Sequence, residues 1–255
     1  MMLHRRAKIV HMNIGLAAYG LPVTCGFARS GERRAPQQID AFGLARLATE
    51  HGLQGIETPL NGMLPSVDIP TADRLREELE AAGHTIVIAT GVVDATIIQQ
   101  VIPLAERVGA KVIRATVSSF LEGARAQLPG GWDAHFADIR QRIVAIRPLL
   151  EELDIVLALE NHQDATSDDL IALCKAGGDN VGITLDVANP LAVGEEPLAF
   201  AQKVGPWIRN VHLKDYRVNL TPSGFRLTRC ALGDGIIPFP ALLTLFADVA
   251  PNAHL

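Results

Sequence analysis

Three short runs in the second half of the chain join apolar, β-prone residues to groups that can bind a metal or move a proton. They are LALENHQD at 157–164, GITLDVANP at 182–190 and NVHLKDY at 210–216. Each begins as a buried strand would and ends on carboxylate, imidazole, amide or amine side chains. Parallel strands deliver such groups from their carboxyl ends to the ligand-binding edge of an α/β sheet. The three runs therefore predict one shared site.

Glu160, Asp186 and His212 lie near the last residue of the three predicted strands. A catalytic divalent metal requires carboxylate and imidazole ligands from different elements, with a position left open for substrate. Neighbouring strands lie about 5 Å apart, so three groups at one rim could share an ion. The competing interpretation is that each residue caps a helix or pairs with a neighbour. Three equivalent positions on consecutive strands favour the metal site.

The surrounding chain repeats one strand–helix unit about seven times, with glycine at most helix ends. We predict strands at 8–18, 53–58, 84–90, 110–118, 154–160, 181–186 and 207–213, and helices that begin near Pro36, Thr71, Ala95, Asp133, Ser167, Pro197 and Phe239. Residues 217–235 are predicted to form a loop. This alternation indicates a parallel sheet with right-handed crossovers, and seven and a fraction units favour a (β/α)₈ TIM barrel. We predict a single domain over residues 1–255.

Composition excludes several classes of protein. The 255 residues are 48% hydrophobic and 20% charged, which suits a large core. A net charge of −5 without a basic stripe argues against nucleic-acid binding. No GxGxxG follows the first predicted strand, so dinucleotide binding is not supported. Three distant cysteines without a CxxC fit a reducing cytoplasm, and no apolar run reaches the ~20 residues of a membrane span.

The motifs ALENHQD, GITLDVANP and VHLKDY resemble those of the sugar phosphate isomerase/epimerase superfamily, the xylose isomerase-like TIM barrels. GLQGIE at 52–57, GAKVIR at 109–114 and the LGDG loop at 232–235 are similar as well, so the resemblance covers nearly the whole chain. It implies that Glu160, Asp186 and His212 are ligands of one divalent ion, which could be Mn, Mg, Co or Zn.

The resemblance also implies positions near the substrate, and it shows two departures. Glu57 matches an acid on strand 2 that lies near the substrate in many relatives. Asn189 stands where many relatives carry a substrate-contacting His. The family's fourth ligand is a Glu at the end of strand 8, but this chain stops at Leu255, near the start of that strand. We therefore expect a truncated strand 8, a missing helix 8 and unpaired edges on strands 1 and 7.

The reaction implied by the resemblance is proton abstraction next to the carbonyl of a sugar or polyol-type hydroxy-ketone, with a metal-bound enediolate. Glu160 would then be both ligand and base. Because the strand 8 Glu normally supplies the partner acid or base, Glu57, His162 and Lys214 become candidates for that role.

Four residues each have two possible roles. Arg114 is either an anchor for a substrate anion or half of an internal salt bridge. Lys214 acts in catalysis or pairs with Asp215. His11 contacts substrate or supports the structure, and His162 faces the pocket or serves as a hydrogen-bonding support on the following loop.

Four functions compete. The leading hypothesis is a metal-dependent isomerase or epimerase. A lyase, such as an inosose or dehydroshikimate dehydratase, needs the same ligands but loses water. A catalytically inactive barrel that binds a sugar-like ligand or a partner would explain the missing fourth ligand. An endonuclease IV-like DNA repair enzyme is disfavoured by Asn189, which stands where a further His is expected, and by the acidic pI of about 5.9.

The expected partner is a small sugar or polyol, with no nucleic acid and no membrane. Without a Gly-rich phosphate cradle, an unphosphorylated substrate is favoured. Relatives often dimerise, so a homodimer is a further expectation, although no stretch of sequence specifies an interface.

Overall fold

Seven parallel strands lie side by side in chain order within the part of the chain that the structure describes. The structure, a computed structural model, describes residues 12–27, 33, 35–120 and 124–255, and for 95–97 the backbone only. The strands are β1 (Gly15–Ala17), β2 (Gly55–Thr58), β3 (Thr85–Val92), β4 (Val112–Thr116), β5 (Val156–Glu160), β6 (Val181–Asp186) and β7 (Ile208–His212). The predicted parallel α/β barrel is confirmed. Residues 8–11 of the first predicted strand lie outside the described residues.

Helices connect the successive strands and cover the outside of the sheet. They are α1 (Ala41–Glu50), α2 (Ile69–Ala82), α3 (Ala95–Arg107), α4 (Gly131–Glu152), α5 (Ser167–Gly177), α6 (Pro197–Val204) and α7 (Phe239–Val249). The α4 helix begins two residues before Asp133, which lies in its first turn and does not cap it. No helix of the described residues is both long and apolar enough to cross a membrane.

Capping side chains explain where α1 and α2 begin. Asp40 accepts a hydrogen bond from Gly43 N at 2.8 Å, so α1 begins at Ala41 and not at Pro36. Asp68 caps α2 in the same way through Thr71 N, so α2 begins at Ile69, two residues before the predicted start at Thr71. The predicted start of α5 at Ser167 is confirmed.

The last residues of the chain close the sheet on itself. Backbone hydrogen bonds run from Gly15 N to Leu255 O at 2.8 Å, from Leu255 N to Asn13 O at 2.9 Å and from Val211 N to His254 O at 2.8 Å. Residues 253–255 therefore occupy the eighth position of the barrel, between β1 and β7. The expectation that both edges would be unpaired is wrong, because a short extended segment reaches both neighbours at once.

Alternation along the strands separates the barrel interior from the layer under the helices. Ile113 of β4 is fully buried against the helices, whereas Val112 and Arg114 point to the opposite side. Val87, Val112 and Ala158 form a separate apolar cluster inside the barrel. Arg114 stands one layer above it, toward the carboxyl ends of the strands. The barrel interior is thus apolar in the layer of Val87, Val112 and Ala158 and charged in the next layer toward the carboxyl ends of the strands.

An antiparallel hairpin follows β7, where a loop over 217–235 was predicted. It consists of β8 (Asp215–Thr221) and β9 (Gly224–Cys230). The loop prediction is wrong because the alternation of apolar and polar residues across 216–220 is a strand pattern. Thr-Pro-Ser-Gly at 221–224 then supplies turn residues between two strands.

Candidate metal centre

The carboxyl ends of β5, β6 and β7 bring Glu160, Asp186 and His212 to one point. Asp186 and His212 are direct partners across the β6–β7 pair. One potential ligand atom of each residue lies within 4.8 Å of those of the other two. Glu160 is 4% exposed and Asp186 5%, so both carboxylates are held away from bulk water. The structure thus brings together the three residues that were predicted to share an ion.

The imidazole of His212 lies between two carboxylates. Its Nε2 is 2.7 Å from Glu57 Oε2, and its Nδ1 is 3.5 Å from Glu160 Oε1. Glu57 has further donors: Asn210 Nδ2 donates to Oε2 at 2.8 Å, and Arg114 Nε donates to Oε1 at 3.1 Å. Both oxygens of Glu57 are therefore engaged in holding neighbouring side chains.

Arg114 extends into the site from the side of β4 that faces the barrel interior. Its Nη1 lies 3.4 Å from Glu160 Oε2 and donates to the Thr90 carbonyl at 3.1 Å. The ring of Tyr19 lies 5.3 Å from the guanidinium carbon. Arg114 therefore forms the internal salt bridge that was one of its two predicted roles, with Glu57 and Glu160 as its partners. Its role as an anion anchor stays a prediction.

The ionisation of these groups follows from burial opposed by close opposite charges. Burial raises the pKa of Glu57, but His212 and Arg114 outweigh it and lower the pKa to about 2. Burial likewise opposes ionisation of Glu160, and the same two cations hold its pKa well below the usual range. Burial disfavours the charged form of His212, yet Glu57 and Glu160 raise its pKa well above the ordinary value. Without an ion, two carboxylates thus face a protonated imidazole.

Asn161 ties the ends of β5 and β6 together and was not predicted. Its amide donates to the Asp186 carbonyl at 3.0 Å and accepts from Asp186 N at 2.7 Å. These two bonds fix the backbone of Asp186 next to Glu160. The sequence shows a polar residue after Glu160, but it gives no sign that its partner lies on the next strand.

Lys214 links Asp186 to Asn189. Its Nζ lies 2.7 Å from Asp186 Oδ2 and 2.7 Å from Asn189 Oδ1, and Gln163 Nε2 donates to the same Asn189 oxygen at 3.2 Å. Because an ammonium group can only donate, the oxygen of Asn189 must face Lys214. The Nδ2 group of Asn189 is buried and has no hydrogen-bond partner within the described residues. The Nδ2 group of Asn189 is therefore a hydrogen-bond donor that a ligand could use.

The loop after β5 contains two more unpaired polar atoms and a strained residue. Within the described residues, His162 Nδ1 and Asp164 Oδ1 are buried without a hydrogen-bond partner. Burial raises the pKa of Asp164, whose other oxygen accepts from Ser118 N at 2.7 Å. Between them Gln163 has a φ of 73°, a left-handed conformation that is unfavourable for a residue other than glycine. Unpaired polar atoms and backbone strain of this kind concentrate at functional sites.

Asp215 does not pair with Lys214, which corrects one of the two predicted roles of Lys214. The Asp215 carboxylate instead accepts backbone N–H groups of the loop after the hairpin. Gly233 N and Gly235 N donate to Oδ2 at 3.0 and 2.8 Å, and Ile237 N donates to Oδ1 at 3.2 Å. Asp215 is therefore an anchor for that loop.

Most of the predicted site residues lie in two neighbouring sets of contacts. His162 is on the adjoining loop, and His11 lies outside the described residues, so the substrate contact of His11 stays a prediction. One set joins Glu57, Arg114, Glu160 and His212, and the other joins Asp186, Asn189 and Lys214. The two sets meet where potential ligand atoms of Glu160, Asp186 and His212 lie within 4.8 Å of one another.

The donor set fits a divalent cation. Two carboxylates and one imidazole are ligands that Mn²⁺, Mg²⁺, Co²⁺ and Zn²⁺ accept. The contact between Glu57 and Nε2 of His212 leaves Nδ1 on the side of Glu160. A carboxylate on the far nitrogen is the usual outer partner of a metal-binding histidine, because it fixes the ring and its tautomer.

The family model described as xylose isomerase-like TIM barrel matches residues 45–250, and the chain belongs to that family. The resemblance seen in the motifs is thereby confirmed. Among curated proteins, the uncharacterized protein YihM of Escherichia coli (strain K12) is 25% identical over 206 residues, which is 79% of this chain. The match spans 60% of the length of that relative.

Solved structures share the fold at low sequence identity. D-psicose 3-epimerase from Clostridium cellulolyticum H10 has a TM-score of 0.72 at 13% identity, covering 95% of this chain and 83% of its own. The probable 3-DHS dehydratase AsbF from Bacillus anthracis gives 0.69 at 18% identity, with 96% and 92% covered. A xylose isomerase-like TIM barrel protein from Mycobacterium smegmatis, solved in complex with magnesium, gives 0.62 at 19% identity, with 95% and 89% covered.

Proposed function

We propose that this chain is a metal-dependent isomerase or epimerase of a sugar or polyol-type hydroxy-ketone. The observation that carries the proposal is the meeting of Glu160, Asp186 and His212 at the carboxyl edge of the barrel, with ligand atoms within 4.8 Å of one another. Family membership and structural neighbours that are sugar epimerases support a sugar-modifying enzyme. The match spans 60% of the length of the curated relative, so the activity of the whole protein is also a proposal.

The first task of the chain is to hold an ion and its ligands in place. An ion held by Glu160, Asp186 and His212 would supply Lewis acidity toward a substrate carbonyl and orient the neighbouring hydroxyl group. Glu57 fixes the ring of His212 through Nε2. Asn161 fixes the backbone of Asp186. Both are positioning residues in this account.

The second task is to remove and return a proton beside the carbonyl. Glu160 is the proposed base, because its carboxylate oxygens lie 3.4 Å from Arg114 and 3.5 Å from His212, at longer range than the contacts of Glu57. Glu57 is a weaker candidate, since both of its oxygens accept hydrogen bonds at 2.8 to 3.1 Å. His162 has an unpaired Nδ1 within the described residues, which leaves a nitrogen free to exchange a proton. Lys214 is the alternative proton donor.

The contacts of Asn189 suggest what the substrate presents there. Its oxygen is occupied by Lys214 and Gln163, so only its N–H groups remain for a ligand. A carbonyl or hydroxyl oxygen of a ketose would accept that hydrogen bond, close to the positive charge of Lys214. Phosphate oxygens could accept the same bond, so the argument against a phosphorylated substrate rests on the sequence, which shows no Gly-rich phosphate cradle. On that ground we propose an uncharged, oxygen-rich substrate without a phosphate group.

Deuterium exchange tests the shared first step of the chemistry. Protein loaded with Mn²⁺ is incubated in D₂O with a panel of 2-ketoses and inososes, and NMR follows the C–H next to each carbonyl. We expect deuterium incorporation with at least one compound, and loss of incorporation in Glu160→Gln. Glu152→Gln, a change at an exposed residue of α4, is the matched control and retains exchange. No exchange with any compound by metal-loaded protein would contradict the proposal.

A lyase is the second candidate, favoured by the structural match to the probable dehydratase AsbF over 96% of this chain. It would use the same ligands and the same first step. The product decides between them: an isomer or epimer has the mass of its substrate, whereas a dehydration product is lighter by one water.

A further inference from the structure

Buried side-chain atoms without a hydrogen-bond partner are concentrated in the loops after β5 and β6. Among the described residues there are five such atoms, and four of them lie in these loops or at the start of α5: His162 Nδ1, Asp164 Oδ1, Ser167 Oγ and Asn189 Nδ2. Asp164 and Asn189 are each 2% exposed. A buried polar atom without a partner is unfavourable unless water or a ligand supplies one. The two loops therefore hold unused hydrogen-bonding groups.

Asp164 is held in place through two of its three oxygen atoms. Its Oδ2 accepts a hydrogen bond from Ser118 N at 2.7 Å, and its backbone oxygen accepts one from Arg125 Nε. Both donors belong to the connection between β4 and α4. Oδ1 is thus kept in a fixed orientation without a donor. Burial raises the pKa of Asp164, so a donor to Oδ1 would stabilise the ionised carboxylate.

The free oxygen of Asp164 adjoins the candidate metal centre. Asp164 lies on the loop that begins at Glu160, the last residue of β5. His162, between the two acids, is near enough to both for a charge on its ring to favour the ionised form of each. Gln163 donates from the same loop to Asn189 on the loop after β6. An unused acceptor and an unused donor therefore lie on adjoining loops beside the proposed ligands.

We propose that Asp164 is a specificity-determining residue that accepts a hydrogen bond from a substrate hydroxyl group away from the reacting carbonyl. The inference rests on the proposed function and narrows the substrate to a polyol chain with free hydroxyl groups. Asp164 Oδ1 can only accept and Asn189 Nδ2 can only donate, and hydroxyl groups satisfy both. A carboxylate disfavours an anionic group next to it. The ammonium of Lys214, 2.7 Å from Asn189 Oδ1, likewise disfavours an amine.

Binding of fluorinated sugars tests this role without turnover. Fluorine in place of a hydroxyl group removes the proton that a carboxylate would accept. Isothermal titration of Mg²⁺-loaded protein compares D-fructose, D-tagatose, D-psicose and D-sorbose with analogues that carry fluorine at one position at a time. We expect the wild type to bind one analogue at least ~10-fold more weakly than its parent sugar, because the analogue leaves a buried acceptor unpaired. The proposal is overturned if none of the four sugars binds, or if fluorine weakens binding at no position.

Asp164→Asn removes the free acceptor with little change of shape. The amide oxygen stays with Ser118 N, because that N–H needs an acceptor, so the NH₂ group takes the place of Oδ1. The fluorine penalty at the sensitive position should fall below ~3-fold, because no carboxylate oxygen is left unpaired there. The other analogues should keep their wild-type affinities relative to the parent sugar, whereas a purely structural role would weaken all sugars alike.

The matched control is Asp168→Asn, the same change at an exposed residue of α5, which should keep the full fluorine penalty. Asp164→Asn should fold, because it removes a buried charge that has no donor on one oxygen. An unfolded variant would show that Oδ1 already has a partner and would overturn the proposal. A penalty that survives in the folded variant also overturns it, even where deuterium exchange supports the isomerase. A penalty lost in the variant supports it, even where no exchange occurs.

Discussion

Glu57 Oε2 lies 2.7 Å from Nε2 of His212, on the side of the ring away from Glu160. This contact joins an acid on β2 to a histidine on β7, elements 155 positions apart in the chain. It makes Glu57 the residue that sets which nitrogen of His212 is available to an ion. Several consequences of this arrangement can be measured without knowing the substrate.

Replacing Glu57 by glutamine should weaken metal binding while leaving the three proposed ligands in place. The amide can no longer hold the imidazole by a charged contact, and loss of such an outer partner typically lowers metal affinity ~10–100-fold. Isothermal titration with Mn²⁺ measures the change. Glu78→Gln, which removes an acid from the exposed pair with Arg46, is the control and should bind as the wild type does. Unchanged affinity in Glu57→Gln would contradict the positioning role.

The metal-free protein should lose stability as the pH falls from 4.5 to about 2, because of Glu57. Its pKa is lowered from 4.5 to about 2 by folding, so the unfolded chain takes up the proton first. The stabilisation is complete above 4.5 and is lost as the pH approaches 2; the shift corresponds to roughly 3 kcal/mol. Urea denaturation with a chelator present, comparing wild type with Glu57→Gln, isolates this contribution. Parallel profiles for the two proteins in that range would contradict it.

His212 should give the metal-free protein the opposite dependence of stability on pH. Its pKa is raised in the folded protein, so its stabilisation is present below the ordinary value of 6.5 and is lost as the pH rises through the raised value. Alkaline pH should therefore destabilise the metal-free protein relative to His212→Gln, measured by the same denaturation series. Excess Mn²⁺ should reverse the trend, because an ion binds the deprotonated imidazole.

Replacing Lys214 by methionine should cost more stability without a metal than with one. In the metal-free protein the change leaves the buried Asp186 carboxylate without its cation, which costs about 3 kcal/mol. With Mn²⁺ bound, the ion supplies the positive charge, so the loss shrinks. Chemical denaturation with and without Mn²⁺ gives both values. The control Lys203→Met removes an exposed pair with Asp168 and should cost under ~1 kcal/mol of stability in both conditions. If Lys214→Met lost the same stability with and without Mn²⁺, the ion and Lys214 would not share the Asp186 site.

Deleting residues 253–255 should destabilise the barrel. The deletion removes three backbone hydrogen bonds, to Gly15 of β1, to Asn13 just before β1 and to Val211 of β7, worth about 3 kcal/mol together. It also exposes two strand edges, so we expect light scattering to report aggregation on heating. Asn252→Ala, at an exposed residue just before the segment, is the control. A deletion variant as stable as the control would show that the closing segment contributes little.

The alternation of elements could be predicted from sequence because each unit has its own local signals. The β5 and β6 runs are largely apolar, β7 is apolar only at Ile208 and Val211, and a polar cluster ends each run. The meeting of Glu160, Asp186 and His212 then follows from parallel strand order. Helix starts were less predictable. Asp40 and Asp68 each compete with a nearby residue that is also a good first residue of a helix.

Contacts between distant elements could not be predicted. Nothing in the sequence says that Glu57 would contact His212, or that Asn161 would hold Asp186, because such contacts depend on which side chains share a barrel layer. The hairpin was missed because its strands carry arginines and asparagine on one face, which resembles loop composition. The closing role of residues 253–255 was missed because three residues are too few to show a pattern.

Binding of a divalent ion tests the central claim most directly. Purified protein is stripped with a chelator and titrated with Mn²⁺, beside Asp186→Asn, which keeps the shape of the side chain and removes its charge. The account predicts one ion per chain for the wild type and at least a hundredfold weaker binding for the variant. A folded wild type that binds no ion, or a variant that binds it equally well, would contradict the metal centre formed by Glu160, Asp186 and His212.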